Sequence, residues 1–313
     1  MKKYIGRRVL QLIPVLLGIT LLSFFLLHTS SVTAIDMKEA NTGGVLSEAE
    51  RTAMEAQLGL DQPLWKQYGT WLVQVLHGDF GTSYVSGKPV GSTFLSKLPA
   101  TLELTVCSLL LTILLSFPLG VAAAVKKDSW LDRVIRFFSF IGNSLPNFFV
   151  ALLLLYVFAV KLQWLPVLGS SQGWKGILLP SLTLAIAMAA KYTRQIRAAV
   201  LEELQKEYVT GARARGITEK KILYKSVLRS AMLAIVTLLG LSIGSLLGGT
   251  AIVETIFSWD GVGKMAIDAI TMRDYPVMQA YVIWMALIYM VINLGTDLLY
   301  HGLDPRIRLG GEK

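Results

Sequence analysis

The residues of this sequence with chemistry to offer are polar groups set inside or beside long apolar runs, where a charge is costly and its presence points to a path or a partner. Glu103, Asn143, Ser144, Pro146, Asn147 and Glu254 stand in such places. Glu103 has two readings: a first-turn carboxylate that complements a helix dipole, or a group that draws cations to an outer gate. Asn143, Ser144, Pro146 and Asn147 interrupt an apolar stretch. Proline removes a backbone donor there, and Ser or Asn can satisfy the groups it frees, so the cluster is a kink, a substrate contact or both. Glu254, close to Asp260, joins Glu103 either in an acidic entrance or in ordinary interfacial solvation. Of the three histidines, His28, His77 and His301, neither His28 nor His77, the two on the outer side, has a metal partner at helical spacing, so no dedicated metal site is expected in a pore. Cys107 is the one cysteine, which excludes an internal disulfide and a thiolate cluster. Gly81 to Lys88 imitates a phosphate loop, but five residues separate its glycines and Pro89 replaces the Ser or Thr. Nucleotide binding is not expected there or elsewhere in the chain.

The elements that must position these groups are membrane helices. Of 313 residues, 53% are hydrophobic and 16% charged, and the mean hydropathy is +0.55, values wrong for soluble domains. Crossing a bilayer core takes about 20 apolar helical residues. Six stretches qualify, near 9–28, 101–125, 137–160, 177–198, 229–253 and 277–300. The fourth is the least apolar, since Lys191, Arg194 and Arg197 follow Ala190; these are read as its cytoplasmic end, snorkelling toward headgroups. The first, preceded by Lys2, Lys3, Arg7 and Arg8, resembles a signal peptide, but the Val32-Thr33-Ala34 segment is a poor cleavage site, so an uncleaved signal-anchor is expected. Gly240, Gly244 and Gly248 recur every four residues in the fifth stretch, the pattern that lets helices approach closely.

With the N-terminus in the cytoplasm, the short outer loops hold 4 Lys and Arg and the inner segments 21. That asymmetry places both termini inside. The formal charge of +9 follows from this placement, and no nucleic-acid partner is expected. Residues 29–99 form the one sizeable outer segment. In it Leu58-Gly59-Leu60-Asp61-Gln62-Pro63 reads as a helix stop and a new start, with Pro63 in a first turn. Leu64, Tyr68, Trp71, Leu72 and Val75 then give an amphipathic helix laid on the outer membrane face.

The longest inner loop, Glu202 to Arg229, divides at Gly216. Leu204, Tyr208 and Ala212 stand four apart on one helical face, Gly216 suits a left-handed helix stop, and Thr218 can cap a second helix. A rigid projection that enters a partner's groove and a solvated basic loop fit these residues equally well.

Tyr208-Val209-Thr210-Gly211-Ala212-Arg213-Ala214-Arg215-Gly216 resembles the coupling-helix motif of binding-protein-dependent ABC importers, in the version of the dipeptide, oligopeptide and nickel permeases. The resemblance covers nearly the whole chain. It includes Leu98-Pro99-Ala100-Thr101-Leu102-Glu103-Leu104, Ser144-Leu145-Pro146-Asn147-Phe148, Val253-Glu254-Thr255-Ile256-Phe257, Arg273-Asp274-Tyr275-Pro276-Val277 and Leu303-Asp304-Pro305-Arg306-Ile307-Arg308. Gly211 stands where relatives commonly show Ala, and Asp260 replaces a proline often seen before Gly261.

The resemblance implies an all-α integral membrane protein of six spans with the type I ABC importer permease fold. Its regions would be 1–28, an outer 29–99 subdomain, a 100–303 core containing the 199–228 coupling loop, and a 304–313 tail. The resemblance implies a non-catalytic subunit of the bacterial cytoplasmic membrane. Its partners would be a second homologous permease, two ATP-binding subunits carrying the ATP and Mg, and an extracytoplasmic solute-binding protein. Tyr208, Thr210, Ala212, Arg213, Ala214, Arg215, Gly216 and Ile217 would couple to the ATPase. The tract Leu162-Gln163-Trp164-Leu165-Pro166, with Leu178-Leu179-Pro180 soon after, is similar to nickel permeases, so nickel or a nickel chelate is preferred over di- and oligopeptides. A secondary transporter would need buried mid-membrane charges and an inverted repeat, which are not evident.

Overall fold

The computed structural model describes residues 2–28, 35–36, 39, 47–169 and 173–303. The tail 304–313 and Val32-Thr33-Ala34 lie outside the described residues. The described chain is helical, without a strand among its described residues: α1 Lys2–His28, α2 Glu48–Leu58, α3 Leu64–Leu76, α4 Val90–Val125, α5 Trp130–Ser144, α6 Asn147–Lys161 (π-helical from Leu155), α7 Trp174–Leu204 and α8 Glu207–Ala214. After it, α9 Glu219–Ile222 passes through a π turn into α10 Leu228–Ile256, and α11 Val262–Met272 and α12 Tyr275–Leu303 follow. α4, α7 and α12 are long and apolar enough to cross a membrane, and helices also occupy the first and fifth expected stretches.

The third stretch is broken into two helices. α5 and α6 meet at 103° across Leu145 and Pro146. Pro146 has no amide hydrogen to offer the Gly142 carbonyl and so ends the ladder, and one turn earlier the Ser144 hydroxyl donates to the Phe140 carbonyl at 2.8 Å. Apolar residues surround α6, whereas α5 buries only one narrow face, Asp132, Ile135, Ser139 and Gly142.

Two compact units emerge, Met1–Pro99 with Gly261–Val291, and Ala100–Asp260 with Ile292–Lys313. In the first, Ser47 and Glu50 form a capping box that starts α2, and Gly59 at φ +69° ends it. Pro63 precedes α3 as its cap rather than lying in its first turn. The aromatic face of α3 packs on α1: the Tyr68 and Phe24 rings are 5.4 Å apart, and Tyr68 Oη lies 3.0 Å from Thr20 Oγ1. The membrane surface expected for that face is therefore at least partly replaced by protein. The imitation phosphate loop has a structural task. Gly81 and Gly87 take left-handed conformations that fold it back on itself, and it seats on buried Asp274, which accepts from Ser83 Oγ at 2.5 Å and from the Tyr84 amide at 3.1 Å. Burial, with Asp274 and Tyr275 alongside, pushes the Tyr84 phenol up to about 12.

In the second unit α7 is the central helix, packed by α5, α6 and α10. Its most apolar window is 67% buried, against 28% for those of α4 and α12. That accounts for its weak hydropathy, since it meets protein over most of a window that the other two helices leave exposed. α4 is inverted relative to a soluble helix. Thr101, Thr105, Ser108, Thr112 and Ser116 are buried along one face while Leu102, Val106, Leu110 and Leu114 are exposed. Small residues permit close helix contact in a membrane, and the Thr105, Ser108 and Thr112 hydroxyls are satisfied by carbonyls four residues back at 2.7 Å. Gly120 continues this contact: a Cβ there would come within 2.7 Å of Ile196.

Candidate functional site

The helix–turn–helix after α7 is built from its sequence outward. α7 stops at Leu204 and α8 begins at Glu207, so Leu204, Tyr208 and Ala212 do not share one helix face as expected. The buried face of α8 is Val209 and Ala212, packed in an apolar cluster with Tyr192, Ile196, Val200 and Ile222. Gly216 has φ +74°, a conformation that costs a side-chain-bearing residue about 1–2 kcal/mol. The turn is a Schellman motif: Gly216 N–H donates to the Arg213 carbonyl at 2.9 Å and Ile217 N–H to that of Ala212 at 3.2 Å. Ile217 then packs on the same cluster. Thr218 takes the cap position of α9, but its side chain makes no capping hydrogen bond; the Arg213 guanidinium ties α8 to Glu219 instead, at 2.7 and 3.2 Å. That guanidinium holds the Glu219 carboxyl below its ordinary value. Tyr208 Oη donates to Glu203 at 2.9 Å, and burial followed by the Glu203 carboxylate raises its phenol. Tyr208, Thr210, Arg213, Ala214, Arg215 and Gly216 remain exposed. The result is a short helix held to the body by one face and presenting the other.

The expected path residues separate. Asn143 and Asn147 border a cavity of about 220 Å³ with Leu184, Met188, Lys191 and Leu246, whereas Ser144 and Pro146 shape the break. Glu103 lies in the fourth turn of α4 and is exposed, so it caps no first turn. Glu254 is fully buried and accepts from Thr101 Oγ1 at 2.8 Å, so the acidic entrance with Glu103 does not form. Beside it Trp259 Nε1 donates to the Ala100 carbonyl at 2.8 Å. Two motifs far apart in sequence, Leu98–Leu104 and Val253–Phe257, thus meet through Thr101 and Glu254, and their shared role is to pin α4 to α10. Of the three glycines spaced four apart in α10, Gly240 is closely packed, with Thr296 Cγ2 2.6 Å from where a Cβ would be, while Gly248 faces open space.

Sequence reasoning missed Asp132. It is fully buried and accepts from Arg197 Nε and Nη2 at 2.7 and 2.8 Å. Arg197 therefore does not snorkel; it bridges α5 to α7. The i,i+4 relation of Asp132 to Arg136 hid the longer partner.

Residues 116–309 match the family described as binding-protein-dependent transport system inner membrane component, and residues 1–105 match the N-terminal family of such membrane components. The chain belongs to this family and is the non-catalytic permease subunit of an ABC importer. It is 40% identical over 309 residues to the protein named glutathione transport system permease protein GsiC of Salmonella typhi, covering 98% of this chain and 99% of that one. The protein of the same name in Escherichia coli K12 is 38% identical over 313 residues, with the same coverage. Among solved structures, an inward-facing MetNI methionine ABC transporter superposes with a TM-score of 0.59 at 18% identity, covering 68% of this chain and 96% of that one. That likeness gives the type I importer permease fold. The family membership displaces the secondary-transporter reading.

Proposed function

We propose that this chain carries a small peptide, of the size of glutathione, across the cytoplasmic membrane. The observation that supports this reading is near end-to-end identity with permeases named for glutathione transport. The preference for nickel gives way to the peptide alternative.

The partners follow the same reading. A second homologous permease completes the pore, two ATP-binding subunits hold the ATP and Mg, and a solute-binding protein delivers cargo outside; both termini face the cytoplasm. ATP-driven closure of the ATPases acts on Tyr208, Thr210, Arg213, Ala214 and Arg215, while Ala212, Gly216 and Ile217 keep that face in place. The spans then alternate between inward-open and outward-open. Uptake of labelled glutathione, a tripeptide and nickel in a strain lacking this chain tests the cargo. Loss of peptide uptake with nickel unchanged is expected. Loss of nickel uptake alone overturns the reading.

A further inference from the structure

We propose that the cavity at the α5–α6 break is an oxyanion subsite that receives the terminal carboxylate of the transported peptide. The inference rests on the peptide reading and deepens it. One wall comes from α7, where Leu184, Met188 and Lys191 follow one helical face, and another from Leu246 of α10. Asn143 and Asn147 stand on the two sides of the 103° break. Among the described residues neither carboxamide makes a hydrogen bond, and Lys191 has no carboxylate within ion-pair distance; its ammonium meets the Tyr192 ring at 5.9 Å.

The chemistry of the lining selects the ligand. An ammonium has three donors and no acceptor, and each carboxamide offers two more donors. A carboxylate only accepts, so one such group can take a hydrogen bond from each of the three side chains while Leu184, Met188 and Leu246 cover the apolar part of the cargo. A bare divalent cation in the same space is repelled by Lys191. A lipid phosphate shares the oxyanion chemistry, and the experiment separates the two sources.

The assembled transporter, with its ATPases and binding protein, is reconstituted in vesicles with and without anionic lipid. Uptake of glutathione and of trialanine is compared with uptake of their C-terminal amides. The binding protein is common to every arm, so a change in the acid-to-amide ratio reports the membrane cavity. Removing a charge-assisted contact is expected to lower that ratio about tenfold in Lys191→Met, with Lys191→Arg retaining most of it and Asn147→Leu lowering it less. If Lys191→Met does not assemble, Asn147→Leu and Lys191→Arg still read the ratio. A ratio that no variant changes overturns the subsite, as does an equal loss of both cargo forms that appears only with anionic lipid. A wild type that takes up neither peptide overturns the peptide reading itself.

Discussion

At the scale of single residues, the costliest interaction to disturb is the Asp132–Arg197 pair. Asp132 has no exposed surface, and two guanidinium hydrogen bonds of 2.7 and 2.8 Å satisfy it together with the Asp128 amide at 3.0 Å. Removing Arg197 takes away both close guanidinium hydrogen bonds and leaves the buried carboxylate only the longer Arg136 contact at 3.4 Å, so the loss approaches that of a broken buried pair, about 3–5 kcal/mol, whereas a matched apolar replacement of both partners can be nearly neutral. Arg197→Met is therefore expected to lower the unfolding midpoint of the detergent-solubilised chain strongly, and Asp132→Leu with Arg197→Met to recover much of the loss. A single variant as stable as the wild type would show that the pair is not the clamp between α5 and α7. The sequence displayed both residues but not their pairing, because 65 positions separate them and each has a duller local reading. Glu254 was misread for the same reason: its partner Thr101 is 153 residues away.

At the scale of elements, the turn after α8 was legible because its signal is local. A glycine one residue past the last helical turn predicts a left-handed stop, and Gly216 is in that conformation at φ +74°. Gly216→Val asks a β-branched residue to hold it, at a cost of about 1–2 kcal/mol, while Asn tolerates the region far better. No atom outside the local backbone lies within 4 Å of a Cβ built there, so conformation and not crowding decides the outcome. Gly216→Val is expected to reduce both uptake and co-purification of the ATP-binding subunits, and Gly216→Asn to keep most of each. Equal behaviour of the two variants counts against a conformational role. The break in the third span was legible only as an interruption, because Pro146 announces that a helix ends without saying at what angle the next begins. Packing sets that 103°: both halves lie against α7, an element whose centrality its modest hydropathy concealed.

At the scale of the whole molecule, the six apolar stretches and the charge asymmetry announced a polytopic chain, while the division into two compact units was hidden, since each gathers segments from both halves of the sequence. Transport by such a chain needs force delivered from another protein, and the molecule separates the parts that would receive it from the parts that hold it together. On α8 Val209 is fully buried in the cluster around Tyr192 and Ile222, whereas Ala214 is exposed. Burying a valine contributes about 1.5–3 kcal/mol, and placing a carboxylate there costs more than that loss. A surface substitution such as Ala214→Trp changes stability by only about 0.5 kcal/mol. The two variants should therefore fail differently. Val209→Asp is expected to lower the unfolding midpoint of the solubilised permease and its abundance in the membrane. Ala214→Trp is expected to leave both near wild type, yet to lose the ATP-binding subunits on purification and peptide-stimulated ATP hydrolysis with them. Full ATPase recovery with Ala214→Trp would move the docking surface elsewhere, because a bulky indole on the exposed face cannot share a groove shaped for alanine.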